Sequence, residues 1–184
     1  MPNIKEVKNR IGSVKSTQQL TKAMKMVAAA KLKRAQDKVT ELRPYSNKLN
    51  EILSNLSDSI SNVLFEQRDV KSKLFIVVAS DKGLCGSFNS NIFKLFNSVS
   101  ENNNDHLDSI NILPIGKKAY DFFKKKDYNV IDQFWNTLNG FSYADASNIF
   151  DYVQDEYLNN NIDQVHIIYN EFKNVAVQNS VVEQ

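Results

Sequence analysis

Apolar residues at the start of the chain recur in alternating steps of three and four: Ile4, Val7, Ile11, Val14, then Ala28, Leu32, Ala35, Val39, Leu42, and finally Leu49, Leu53, Leu56. Counted through Gln18, Thr21, Lys25 and Ser46, twelve of the 16 positions on this seam are apolar. A repeat of 3.5 residues sustained over about seven heptads is the pattern of a coiled-coil seam, whereas a helix lying on a globular core shows a broader and shorter stripe. Between Asn3 and Ser57 the only glycine is Gly12 and the only proline Pro44, and good helix formers such as Ala28, Ala29 and Ala30 are frequent. The pattern predicts one helix from Asn3 to about Ser57. At about 1.5 Å per residue it is roughly 80 Å long, more than the width of a domain of this size, so it is expected to project.

Two irregularities mark the seam. Gln18, Thr21 and Lys25 make a polar block that cannot be a dry interface. Such residues either set register and oligomer state or meet a different, wetter partner. Pro44, within Arg43-Pro44-Tyr45, removes a backbone donor. Because Leu49, Leu53 and Leu56 keep the register, a kink is expected there rather than a stop.

After Arg68 the pattern changes to short apolar runs alternating with amphipathic stretches, as in an α/β domain. Leu74–Ala79 is continuous and rich in β-branched residues, which predicts a strand buried on both faces. A loop, Ser80–Ser87, leads into a helix over Phe88–Val99, and the polar run Ser100–Asp108 is expected to be an exposed loop. Further strands are predicted at Ile110–Ile115, Asn129–Trp135, Val165–Tyr169 and Val175–Val182, with helices at Lys117–Lys126 and Ala144–Leu158. The order suggests a small doubly wound sheet carrying one long helical arm, with the arm at 1–57 and the α/β domain at 68–184.

Charge divides the chain in the same place. Residues 1–50 hold twelve Lys and Arg against Glu6, Asp37 and Glu41, a net charge of +9, while the remaining residues are net −7. A basic arm calls for an acidic partner. Nucleic acid fits less well, because Lys and Arg run beside apolar positions from Lys5 to Lys48 instead of preceding the heptads as in a basic-region zipper. No run of apolar residues approaches the length of a membrane span, and the first 15 residues lack the apolar stretch of a secretory signal. The single cysteine excludes an internal disulfide and a Cys-rich zinc site.

Little in the chain points to catalysis. Gly83 and Gly86 in the loop Ser80–Ser87 give only GxxG, without the third glycine of a dinucleotide fingerprint or the Gly-Lys-Ser/Thr ending of a P-loop. The loop is therefore expected to be structural, with glycines allowing positive φ and close packing, and with Asp81 or Ser87 capping the helix that follows. Cys85, with no visible base, is expected to be a buried structural cysteine and not a nucleophile. His106 and His166 lack ligand spacing and are expected to be an ordinary loop and an ordinary core histidine. Asp145, Asp151, Asp155 and Glu156 read as the solvated face of a helix.

Two longer motifs carry a resemblance. Ile11–Asp37 reads IGSVKSTQQLTKAMKMVAAAKLKRAQD, and Ser80–Asn89 reads SDKGLCGSFN, with Arg43-Pro44-Tyr45 and Arg68-Asp69-Val70-Lys71 between them. In order and approximate spacing these resemble the gamma subunit, the central rotor stalk, of F-type ATP synthases. The resemblance is strong before Asn91 and weak over Glu101–Phe150.

It implies an N-terminal helix paired antiparallel with a C-terminal one, forming a shaft that turns inside a hexameric head, with the α/β domain packed beside it. It further implies a subunit with no cofactor and no catalysis of its own, serving proton-driven ATP synthesis or hydrolysis elsewhere in the complex. The implied partners are the alpha and beta subunits of the head, the epsilon subunit and the ring of membrane c subunits. Carried over by motif, Lys22, Met24, Lys25 and Lys31 would meet the head, and Pro44 and Tyr45 would lie toward the membrane ring. Gly83, Cys85 and Gly86 would belong to a structural loop. The family continues past the point matched by Gln184 into the second shaft helix, for which this sequence has no candidate. A fragment, a truncated product or a separate chain supplying that helix are the three readings. With the motif beginning almost at Met1, a bacterial protein on the cytoplasmic face of the inner membrane is expected. The principal rival is a helical-arm adaptor with an α/β domain, and an enzyme using the Ser80–Ser87 loop comes third.

Overall fold

The computed structural model describes residues 3–56, 63–65, 68–101, 109–138 and 140–184. Ser57, most of the run 100–108 and His106 lie outside them. Contacts divide the chain into two units, Met1–Phe65 and Glu66–Gln184.

The first unit is one unbroken helix, α1 (Ile4–Leu56), of 53 residues, followed by a single 3-10 turn at Val63–Phe65. Asn3 starts α1, its side-chain carbonyl accepting from the Lys5 N–H while Glu6 reaches back to the Asn3 N–H. The helix runs through Pro44 although the donor that the Thr40 carbonyl would use is missing there. Pairs such as Lys33–Asp37 at 2.8 Å and Lys48–Glu51 at 2.9 Å are exposed and screened by water, so they add little. Length and propensity, not ion pairs, account for a helix of this extent.

The second unit is a five-stranded sheet in the order β3-β2-β1-β4-β5. β1 (Ser72–Val78) lies at its centre, parallel to β2 (Ser109–Ile115) and β4 (Gln164–Phe172). β3 (Asn129–Val130) is a short parallel edge, and β5 (Gln178–Glu183) runs antiparallel to β4 at the other edge. The helices α2 (Phe88–Glu101) and α3 (Lys117–Phe123) cover one face, and α4 (Tyr143–Leu158) covers the other.

Strand periodicity explains the two cores. Phe75 and Val77 point to the side of Ile92, Phe96, Ala119 and Phe123, whereas Leu74 and Ile76 point to the side of Ile149 and Ile162. The first core is an aromatic cluster in which Phe96 meets Phe75 and Phe123 edge-on at 5.2 and 4.8 Å. This is the doubly wound α/β architecture that the alternation of elements predicts.

The third strand is shorter than its apolar pattern suggests. It pairs only at Asn129 and Val130, plus an Ile131 N–H to the Ile112 carbonyl. The chain then bends at Gln133 and Phe134 and turns at Trp135 and Asn136, with Trp135 stacked on Tyr120 at 5.1 Å and Phe134 packed near Tyr152. α4 begins one residue earlier than expected because Ser142 caps it. Its hydroxyl accepts from the Asp145 N–H while the Asp145 carboxylate accepts from the Ser142 N–H, a capping box legible as Ser-x-x-Asp. No helix among the described residues is long and apolar enough to cross a membrane.

Candidate functional site

Two regions carry the residues singled out above: the exposed surface of α1 and the loop between β1 and α2. On α1 nearly every described side chain is exposed, the seam included, with only Gln36 and Val39 half-buried. The polar block satisfies part of its own demand, since the Thr17 hydroxyl donates to the Ser13 carbonyl at 2.9 Å and Thr21 to the Thr17 carbonyl at 2.7 Å. Thr21 can therefore sit on the seam without a polar partner across it.

Lys22 and Lys25, three residues apart, share the side of Gln18 and Thr21. Met24, at about 200° around the helix from Lys22, lies on the other side together with Lys31. The four predicted contact residues are thus not one patch but two opposed ones. The second patch has apolar members that the seam count passed over. Leu20, Met24 and Val27, at i, i+4 and i+7, are each about 60% exposed. Where the seam turns polar, the opposite face turns apolar. Among the described residues no carboxylate lies within ion-pair distance of Lys22, Lys25 or Lys31. Pro44 and Tyr45 stand about three turns before the end of α1, with Tyr45 exposed.

The loop differs from expectation in three respects. Cys85 is exposed, not buried. It sits at the tip of a turn where Leu84 (φ 62°) and Gly86 (φ 60°) both adopt the left-handed conformation, which carries the thiol outward. Its Sγ accepts from Asn89 Nδ2 at 3.3 Å. Asp81 does not cap α2: its carboxylate accepts from the N–H of Lys117, the first residue of α3, at 3.0 Å. Ser87 receives the Asn91 side chain at 3.3 Å. The glycines do not serve close packing either, because a side chain at Gly83 or Gly86 would meet open space or only the end of Lys118. The tight approach is at Gly116, where a Cβ would overlap the Ala79 carbonyl oxygen.

What the loop does is tie elements together. Ser80 donates its N–H to Asn89 Oδ1 and accepts the Lys118 N–H on its carbonyl, each at 3.0 Å. Asn170 of β4 donates to the Phe88 carbonyl at 2.9 Å, joining the start of α2 to the sheet. At the opposite end, Asp163 accepts from the Lys71 and Ser72 N–H groups at 2.9 Å, and Arg68 lies 4.1 Å over the Tyr157 ring. The Arg68-Asp69-Val70-Lys71 motif thus anchors the entry to β1.

His166 is the buried histidine expected in a core, stacked on Phe75 at 5.1 Å, with Nε2 3.0 Å from Gln164 Oε1. Its Nδ1 is buried without a hydrogen-bond partner among the described residues. Burial first, and the Lys73 ammonium second, hold its pKa below the usual imidazole value. As pH falls through about 6.5 the unfolded chain takes up a proton that the folded unit refuses. Stability of the second unit should therefore be lost progressively below that point and be insensitive to His166 above it. His166→Phe should remove this part of the acid slope in denaturant titrations. Equal slopes between pH 7 and 5 for both proteins would refute it.

Against this geometry, a family model described as ATP synthase matches residues 3–184. The ATP synthase gamma chain of Cytophaga hutchinsonii is 45% identical over 191 residues, covering all of this chain and 65% of that protein. The chain belongs to the ATP synthase gamma family. The gamma chain of Chloroherpeton thalassium is 44% identical, again over the whole of this chain and over 62% of its own length. The chain thus spans slightly less than two thirds of these curated relatives. Among solved structures, the central stalk and c-ring of Tetrahymena thermophila mitochondrial ATP synthase contains a similar chain (TM-score 0.64, 29% identity), with 89% of this chain and 70% of that one covered. A chain of the Euglena gracilis mitochondrial ATP synthase rotor shares the fold at 20% identity, with a TM-score of 0.62, over 96% of this chain and 60% of its own. The gamma family accounts for the pairing of one long helix with a mixed five-stranded sheet.

Proposed function

We propose that this chain is the non-catalytic rotor subunit of a proton-translocating F-type ATP synthase, or the part of it that carries the N-terminal shaft helix and the α/β domain. The observation that supports this most is an unbroken basic helix of 53 residues within a gamma-family match running from residue 3 to 184. In this reading residues 1–57 are the shaft helix and 68–184 the α/β domain. Lys22 and Lys25 on one side, and Met24 and Lys31 on the other, meet alpha and beta subunits of the head as the shaft turns. Pro44 and Tyr45 lie toward the ring of c subunits, with the epsilon subunit nearby, at the cytoplasmic face of a bacterial inner membrane. The work is mechanical: an asymmetric shaft with a wet face and an apolar face presents a different surface to each catalytic site in turn. Gly83, Cys85 and Gly86 take no part in chemistry.

The reading is tested by capture. The tagged chain should retain assembled alpha and beta subunits at low salt, and Lys22→Glu with Lys25→Glu should reduce retention about tenfold, since each reversal replaces attraction to acidic loops by repulsion. No retention above an untagged control, or retention indifferent to both charge reversals, would overturn it.

A further inference from the structure

β5 closes one side of the sheet, and among the described residues no strand lies beyond it. An edge strand presents a row of unpaired N–H and C=O groups, which soluble proteins guard with lysine, proline, a bulge or a very short strand. β3, at the other edge, is guarded in the last way and pairs at only two residues. β5 has none of these guards. Its six residues, QNSVVE, include no Lys, Pro or Gly, and its register with β4 runs one-to-one from Ile167↔Glu183 to Phe172↔Gln178 without a bulge. Its one carboxylate, Glu183, accepts from the Tyr169 hydroxyl at 2.8 Å. The surroundings are largely uncharged. On one face α2 touches β4 and β5, and Leu95, about 200° around that helix from the Phe93 that stacks on Phe122, is half-buried beside the exposed polar Asn91 and Ser98. On the other face Val181 and Tyr169 are half-buried and Ile167 is 39% exposed, with Glu171 one strand back from the edge.

We propose that β5 pairs antiparallel with β5 of a second copy, continuing the sheet across a two-fold axis at Val181. Only an extended strand can complete the open row. A helix satisfies its backbone groups internally, which excludes α1, and β3 is too short. β5 itself is self-complementary. Opposed residues of an antiparallel pair share a face, so the two-fold must centre on one residue. Centred on Val181, it sets Val181 opposite Val181, Ser180 opposite Val182 and Asn179 opposite Glu183, so no like charges face each other. Centring on Ser180 or Val182 would instead set Val177 or Val181 against the Glu183 carboxylate. Pairing of this one short strand falls below the roughly 1,200 to 2,000 Å² that stable interfaces bury, so the contact is transient in dilute solution. It belongs to the free chain and uses only residues of the second unit, so it holds whether or not the chain turns as a rotor.

The test is disulfide capture in the full chain. Cys85→Ser leaves each variant with one introduced thiol, and Leu32→Asp, Leu42→Asp and Leu49→Asp keep the α1 seams from bringing chains together. Opposed Cα atoms of a strand pair lie about 4.5 to 5.5 Å apart, within disulfide reach, whereas positions two residues removed are roughly 7 to 8 Å apart and beyond it. Under mild oxidation Val181→Cys should therefore cross-link to itself about tenfold faster than Ser180→Cys or Val182→Cys does alone. Mixing the last two should restore cross-linking, between unlike chains. Val181→Lys added to both members of that mixture sets two ammonium groups against each other and should slow it about tenfold. Thermal unfolding near that of the parent shows that the fold is kept, and if the lysine variant melts early the cysteine comparisons decide alone. Equal rates at the three positions, a mixture no faster than its components, or a folded Val181→Lys pair that cross-links as fast as before would each overturn the proposal.

Discussion

Alone in solution, the 184-residue chain should sediment as species heavier than a monomer, and Leu32→Asp, Leu42→Asp and Leu49→Asp together should return it to one. The seam of α1 is the cause. Ile4, Ile11, Val14, Leu42, Leu49 and Leu53 are all exposed on a helix that no other element among the described residues of the first unit is long enough to cover. Burying side chains of this kind contributes roughly 1.5 to 3 kcal/mol each, so pairing of two seams outweighs the entropy of association. The charge of residues 1–50, net +9, works against pairing between like helices. Association should therefore strengthen as salt rises from about 0.1 to about 1 M, over which the Debye length falls from ~10 to ~3 Å. An acidic heptad peptide with Leu at a and d should compete, converting the assembly to one chain plus one peptide. A monomer at all salt concentrations, with amides 10–50 strongly protected and no peptide added, would mean that the seam is not an interface.

The same contrast shows what could be read from the residues and what could not. The α1 period survived intact because an isolated stripe is local information: nothing outside residues 4–56 is needed to specify it. β1 was equally legible, since burial on both faces leaves a continuous apolar run in Leu74–Val78. The edge was not. Ile131, Phe134 and Trp135 look like strand residues, yet Trp135 packs on Tyr120, Phe134 near Tyr152 and Ile131 against the core on the α4 side of the sheet, destinations that only the assembled sheet provides. Cys85 misled for a related reason. Cysteine is commonly buried, but here the exposed turn is set by the positive φ at Leu84 and Gly86, which composition does not reveal. The switch of Asp81 from α2 to α3 is a tertiary choice between two nearby helix starts. For the candidate site, the motif points to Lys22 and Met24, while their placement on opposite sides follows only from counting around the helix. Leu20 and Val27 fall on the side of Met24 by the same count and off the seam.

Gly116→Ala should be the most damaging single substitution in the second unit, lowering its stability by about 3 to 5 kcal/mol and its melting temperature by roughly 10 to 20 °C. Gly116 joins β2 to α3 at φ 95° and ψ 143°, a conformation that L residues rarely adopt. Its N–H donates to the Trp135 carbonyl at 2.9 Å, and its own carbonyl accepts from Ala119 and Tyr120, so the chain cannot swing aside without losing three hydrogen bonds. A Cβ there would overlap the Ala79 carbonyl oxygen and come within 2.7 Å of Leu138 Cδ1. Ala79 is itself fixed, since its N–H donates to the Ile115 carbonyl at 2.9 Å. Neither backbone can yield cheaply. The other loop glycines supply the controls. Gly86→Ala has open space but a φ of 60°, so it should cost about 1 to 2 kcal/mol from conformation alone. Gly83→Ala has neither clash nor positive φ and should be neutral or stabilising by up to about 1 kcal/mol. Trp135, the only tryptophan, stacks on Tyr120 beside the substituted bond, so its fluorescence reports unfolding of this unit without interference from α1. The expected order of melting temperatures is Gly83→Ala, then Gly86→Ala, then Gly116→Ala at a large distance. A Gly116→Ala protein melting as high as Gly86→Ala would show that the β2–α3 junction can relax, and that close approach to Ala79 does not dictate glycine there.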